Sequence, residues 1–268
     1  MISFVIISIL IFTVAIMMTM VGKGGGNFYV VILAMANVPM HEAATTGQFI
    51  LFSASLAAMI FFHKNKSVSW KLAFFIGALI AVAAFLGGFF SYLFAGYVLK
   101  IIFSVMLILA GLIMVMPMPK PTHNSAHSKF SIIQFRNDSD VYSINLMIAL
   151  PVIILTGFFA GMVGVSGGSF LVPLMVLACN MPMHLAIGTA SILISISSLM
   201  GFTGHAIQGD FNVSSALPLA VITIIGGILG GKFALKTKSI HLKKIFAYTN
   251  WLAALFMVIN ALHTKGLI

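Results

Sequence analysis

Long apolar stretches recur along this chain almost without pause. Segments at about 2–21, 43–62, 71–94, 98–117, 143–163, 186–204, 213–235 and 244–262 are each long enough, at about 1.5 Å rise per residue, to cross a hydrocarbon core of about 30 Å. Two shorter apolar segments, 27–38 and 168–182, sit between a Gly-rich break and a proline. The only long polar stretch, 118–142, is rich in Pro, Ser, His, Asn and Asp and reads as a linker. The pattern predicts an all-α integral membrane protein in three parts: a first transmembrane repeat over 1–117, the linker over 118–142 and a second repeat over 143–268.

The two halves are copies of one unit. Gly25-Gly26-Asn27-Phe28 matches Gly167-Gly168-Ser169-Phe170, and after a one-residue shift Pro39-Met40-His41 matches Pro182-Met183-His184. In that register Thr46 meets Thr189, Leu86-Gly87-Gly88 meets Leu229-Gly230-Gly231, Lys100 meets Lys243 and Phe103 meets Phe246. A match running nearly the whole length of each half is a true internal repeat.

Composition agrees with a membrane setting, since 61% of residues are hydrophobic and only 7% charged, against about 25% in soluble domains. The net charge of +10 would raise nucleic acid as a partner for a soluble protein; here it reports cytoplasmic loops and the anionic lipids of the bilayer. The loop from His63 to Lys71 carries Lys64, Lys66 and Lys71, whereas its repeat counterpart, His205 to Asn212, carries no Lys or Arg. The second strongly basic region holds Lys232, Lys236, Lys238, Lys243 and Lys244 and corresponds to the poorly charged turn around Ala95 to Lys100. Matching loops therefore face opposite sides. Opposite orientation demands an odd number of crossings per half, so 27–38 and 168–182 count as partly unwound crossings. The expectation is two inverted repeats of about five segments each, with short broken helices after the Gly-rich motifs and a cytoplasmic linker. The chain is then a multi-pass membrane protein, and its oligomeric state stays open, a homodimer among the options.

Inverted repeats with Gly-interrupted short segments at matching positions point to a transporter binding site. A helix that begins inside the membrane presents unpaired N–H groups and a positive dipole end, which attract anions. Gly22-Lys23-Gly24-Gly25-Gly26 opens the first short helix and Gly164-Val165-Ser166-Gly167-Gly168 the second. Lys23 sharpens this reading, because an ammonium in a membrane segment tends to face a cavity or a partner; the competing account has it snorkelling to the cytoplasmic headgroups. Asn27 and Ser169 in the first turns, together with Thr46, Gln48 and Thr189, are candidate polar ligands. His41, Glu42 and His184 are candidates for carrying a coupled proton, with helix capping the alternative for the histidines and dipole compensation for Glu42. The pairs Gly87-Gly88, Gly226-Gly227 and Gly230-Gly231 read as close helix packing. His205 reads as a loop residue and the lone Cys179 as a packing residue.

No catalytic constellation occurs. HExxH, CxxC and Walker A patterns are missing from the sequence, the acids number 4, and no metal site or cofactor is expected. Active transport would have to draw on an ion gradient or a partner.

The two breaks, with Ser-Gly-Gly-Ser-Phe-Leu-Val-Pro followed by Pro-Met-His-Leu-Ala-Ile-Gly-Thr-Ala-Ser in the second half, resemble the TauE/SafE family of sulfite and organosulfonate exporters. The resemblance implies a multi-span permease of small sulfur-containing or carboxylate anions, found mostly in the bacterial inner membrane. Gly24, Gly25 and Gly26 match the first motif; Gly167, Gly168, Pro173, Gly188 and Thr189 match the second. The first copy departs at Val31 and Thr45, where the second has Pro173 and Gly188. The function implied is anion export by alternating access, with a passive anion channel or proton-coupled uptake as alternatives.

Overall fold

A computed structural model describes residues 4–115, 132–137, 140–209 and 211–264. The first half forms α1 (Phe4–Met20), α2 (Gly26–Met35), α3 (Met40–Lys64), α4 (Trp70–Phe90) and α5 (Gly96–Val115). After strands β1 (Ile132–Asn137) and β2 (Asp140–Asn145), the second half forms α6 (Leu146–Val163), α7 (Gly168–Pro173), α8 (Met183–Ala206), α9 (Val213–Lys236) and α10 (Ser239–Thr264). A π-helical turn, Leu174–Ala178, extends α7. Among the described residues 7 helices have the length and apolarity to cross a membrane, and Phe4–Met20, Gly26–Met35 and Gly168–Ala178 are shorter apolar helices. Their outer faces are apolar, with Phe74, Leu93 and Met147 among the most exposed side chains, as lipid-facing surfaces are.

One expectation is corrected at the linker. Ile132–Asn137 pairs antiparallel with Asp140–Asn145, so the chain is not purely helical and part of the stretch is ordered as a hairpin. The reason is a period-two pattern in the second strand, where Tyr142 and Ile144 are both buried. The rest of the linker lies outside the described residues.

Positions matched between the halves share local backbone geometry. Asn37 and Asn180, at matched positions, both adopt left-handed φ, of 65° and 52°, and end the two short helical segments. Pro39 and Pro182 then lead into α3 and α8 with nearly the same extended conformation. Proline suits this place because its fixed φ starts a helix without losing a backbone bond.

Glycine packing fixes helix directions. Along α3, Gln48 meets Gly201, Ser55 meets Ser195 and Phe62 meets Gly188, so α3 and α8 run antiparallel. By contrast Gly77 meets Ile196 and Gly88 meets Gly201, making α4 parallel to α8. Its counterpart α9 runs parallel to α3, through Thr223 with Ile50, Gly227 with Ala54 and Gly231 with Phe61. Likewise α4 lies parallel to α6, with Gly157 at Ile80 and Gly161 at Ala84, and α9 parallel to α1, with Gly226 at Ala15 and Gly230 at Ile16. The interior glycine pairs therefore do serve close packing. The Phe61 contact with Gly231 also brings the Lys64–Lys71 loop and the Lys232–Lys236 helix end to the same end of the bundle.

Candidate functional site

α1 ends at Met20, the chain turns back through Val21 to Gly25, and α2 begins at mid-depth. Gly24 faces Leu51 and Ser55 near the middle of α3 and Ile194 near the middle of α8. Gly25, at φ 102°, lies in the left-handed region, and the buried Tyr29 ring covers it while its hydroxyl donates to Gly24 O at 2.9 Å. No side chain with a Cβ fits there without strain.

The two breaks touch backbone to backbone. A Cβ on Gly26 would stand 3.0 Å from Ser166 N, and one on Gly168 would stand 2.5 Å from Gly22 O and 3.2 Å from Lys23 Cα. At the contact, Asn27 Nδ2 donates to Ser169 Oγ at 2.8 Å. These two residues occupy the same place in the two repeats, so the repeat positions that the sequence singles out meet face to face.

Lys23 is fully buried. Its Nζ donates to Phe246 O at 2.6 Å, Thr249 Oγ1 at 2.8 Å and Asn250 Oδ1 at 2.8 Å, and lies 4.1 Å from the Phe246 ring centroid. The Thr249 hydroxyl itself donates to Ile245 O at 2.6 Å, so only its lone pairs face the lysine. Three neutral oxygens thus receive the three N–H bonds of an ammonium, and among the described residues no carboxylate pairs with it. The break aims the Lys23 side chain at α10, where it is buried, rather than out along the bundle surface as snorkelling would require.

Asn250 is the hub of this polar knot. Besides Lys23, its Oδ1 accepts from Ser169 Oγ at 3.3 Å and Asn27 Nδ2 at 3.4 Å. Gln48 reaches from α3 to the second break, donating to Ala160 O at 3.2 Å and Val165 O at 3.4 Å. Several buried polar atoms around the breaks have no protein partner: Thr19 Oγ1, Asn27 Oδ1, Gln48 Oε1, Ser166 Oγ and Asn250 Nδ2. Each such atom costs about 1–3 kcal/mol when nothing bonds to it. Sequence reasoning misses Thr249 and Asn250; the signal available for them is a pair of adjacent polar residues inside the apolar stretch 244–262.

The other candidate residues lie elsewhere. Thr189 accepts Ser69 N–H at 3.0 Å and donates to Leu185 O at 2.8 Å, so it ties α8 to the loop before α4 and is fully engaged there. Thr46 is buried beside Gly47, which packs on Val30 and Gly164, toward the opposite end from Thr189. His41 and Glu42 stand in the first turn of α3 and His184 in the first turn of the antiparallel α8. They occupy opposite ends of the bundle, with His41 about 15 Å by helical rise from the level of Leu51. His41 contacts the Tyr92 ring at 5.4 Å. His205 is corrected from loop to buried helix: its Nε2 is 2.7 Å from Gly161 O and its Nδ1 3.1 Å from Ser91 Oγ. Cys179 is buried, as a packing residue should be.

An apolar cavity of about 630 Å³ lies between α5, α6, α7 and the π-helical turn, with Val105, Leu109, Val152, Phe170 and Leu177 on its walls. The first half has a charged lysine and α10 amides beside its break; the second has Val165 and this hydrocarbon-lined space.

Membrane-length helices packed around two broken segments define a multi-pass membrane protein of the transporter class. The chain belongs to the sulfite exporter TauE/SafE family, whose model matches residues 7–257. It is similar to the probable membrane transporter protein YunE of Bacillus subtilis (strain 168), 29% identical over 253 residues covering 89% of this chain and 92% of that protein. A probable membrane transporter protein of Methanocaldococcus jannaschii is 25% identical over 264 residues, 92% of each chain. No solved structure matches the chain.

Proposed function

We propose that the protein is a secondary transporter that exports small anions, such as sulfite, organosulfonates or related sulfur-containing or carboxylate anions, across a bacterial inner membrane. The observation that carries this is the buried Lys23 ammonium at mid-depth, held by neutral oxygens alone, with Asn27 Oδ1 and Asn250 Nδ2 of the same network left without a protein partner. A buried charge without a counter-charge is unfavourable by itself, and a bound anion supplies the missing sign. Asn27, Ser166, Ser169 and Gln48 contribute polar atoms, and the first-turn N–H groups of α2, which has no side-chain cap, add donors.

Alternating access between two inverted five-segment repeats is the mechanism we infer. Its support is that α3 and α8, counterparts in the repeat, run antiparallel, as inverted copies do, while α4 keeps to α8 as α9 keeps to α3. Placing the basic end at the cytoplasm follows the positive-inside rule. Full burial of Lys23, Tyr29 and Asn250 suits an occluded site better than an open pore. Export of a lone anion then runs down the inside-negative potential, worth about 2.3 kcal/mol per charge per 100 mV.

Proteoliposomes carrying the full chain test this against sulfite, sulfonates, sulfate and carboxylates, with and without a pH gradient. Saturable flux with counterflow is expected. Conduction without counterflow would make the protein a channel, and flux of none of these anions would defeat the reading.

A further inference from the structure

Three donors from three separate elements converge on one atom. Lys23 Nζ from the first break, Asn27 Nδ2 from α2 and Ser169 Oγ from α7 all point at Asn250 Oδ1, at 2.8, 3.4 and 3.3 Å. With Lys23 charged, the amide atom facing it is the carboxamide oxygen, because an ammonium has no lone pair to accept from the amide nitrogen. A cationic donor, an amide donor and a hydroxyl donor gathered on one oxygen are what an oxyanion would ask for. Asn250 supplies the oxygen but not the charge. At the matching place in the first half, the register that pairs Lys100 with Lys243 puts Leu107 on α5, so the repeat itself does not require an amide there.

We propose that Asn250 is a built-in competitor: its carboxamide oxygen occupies the oxyanion subsite, and a substrate oxygen displaces it. Displacement removes the Asn250 bonds that tie α10 to α2 and α7, while Lys23 still holds α10 through Phe246 O and Thr249 Oγ1. An anion wins the exchange because it brings the charge opposite to that of Lys23, whereas the Asn250 carboxamide brings none. Asn250 is on this account a specificity-setting residue, admitting only ligands able to displace a neutral oxygen. The inference rests on the anion-site reading above.

The test is equilibrium binding of sulfite, methanesulfonate, sulfate and acetate to the full chain in detergent, for the parent, Asn250→Ala, Asn250→Leu, Asn250→Asp and Lys23→Gln, with thermal melting recorded on every sample. Removing the competitor in Asn250→Ala and Asn250→Leu is expected to tighten binding of the preferred anion by about 10-fold while slowing counterflow. Fixing a carboxylate in the subsite with Asn250→Asp is expected to weaken binding by about 100-fold. Weaker binding in a normally melting Asn250→Ala or Asn250→Leu would make Asn250 a ligand group and overturn the proposal. So would Asn250→Asp binding as well as the parent, or loss of cooperative melting in both Ala and Leu variants, since a competitor is dispensable for folding. If the parent binds and Lys23→Gln does not, the anion site stands whatever Asn250 does; if the parent binds none of the four anions, the anion-site reading itself falls.

Discussion

The two breaks have the same plan and different contents. Both follow a long helix, both open a short one, and both bring a first-turn polar residue to the shared contact between Asn27 and Ser169. Yet the first break is wound through left-handed Gly22, Gly24 and Gly25 and carries Lys23, whereas the second has one left-handed glycine, Gly164, and carries Val165. The first faces the amides of α10; the second backs on the apolar cavity beside α5. On the reading proposed above, the matched backbones are the scaffold and the chemistry lies at Lys23, which the second break lacks. On the proposed reading, a charged ligand is bound to one side of the contact between the copies, the side of the first half.

The sharpest way to break this comparison is to remove the charge. Lys23→Gln should lower saturable anion flux by about 100-fold or more, since an interaction between a buried charge and its partner is worth several kcal/mol; flux within about twofold of the parent would take Lys23 out of the site. Moving the charge to the other copy sharpens it further. Lys23→Val combined with Val165→Lys should not restore flux and should destabilise the protein by about 2–4 kcal/mol, because Val165 has no counterpart of the Asn250 oxygen to receive the ammonium; chemical denaturation in detergent measures this. Where the copies touch, Gly168→Ala puts a methyl on Gly22 O and should cost about 1–3 kcal/mol by overpacking, read by the same denaturation. Thr189→Val leaves the buried Ser69 N–H without its acceptor and should cost about 1–3 kcal/mol, with substrate affinity unchanged. The smallest effect is expected from Glu42→Gln, with anion affinity in binding assays changed by less than about twofold, given its distance from the knot.

Some of this arrangement is legible in the sequence and some is not, for physical reasons. Hydropathy locates the long helices because the bilayer sets the length they need to cross it. Asn27 and Ser169 stand out because duplication places them at the same offset from a Gly-Gly pair. Lys23 is conspicuous as a cation among glycines, but its depth is not, since hydropathy cannot show a chain re-entering the bundle. Symmetry with Thr46 singles out Thr189, which instead ties down Ser69, a role set by a loop far away in sequence. Asn250 stands 227 residues from Lys23, and no local pattern joins them. The hairpin strands are hidden by a neighbouring polar stretch whose composition speaks for a linker.

The crossed partnership of the halves carries a consequence for assembly. α3 lies against α8, α4 against α6 and α8, and α9 against α1 and α3, so each half buries its faces mainly on the other. A solitary copy of the unit would hide the same surfaces only by meeting a second copy, an encounter governed by its dilution in the membrane. Joining two copies in one chain makes that encounter intramolecular, at an effective concentration that for short tethers is roughly in the mM range. The same covalent link lets the two halves differ, as they do at Lys23 and Val165, because a lysine carried by one half need not be accommodated twice.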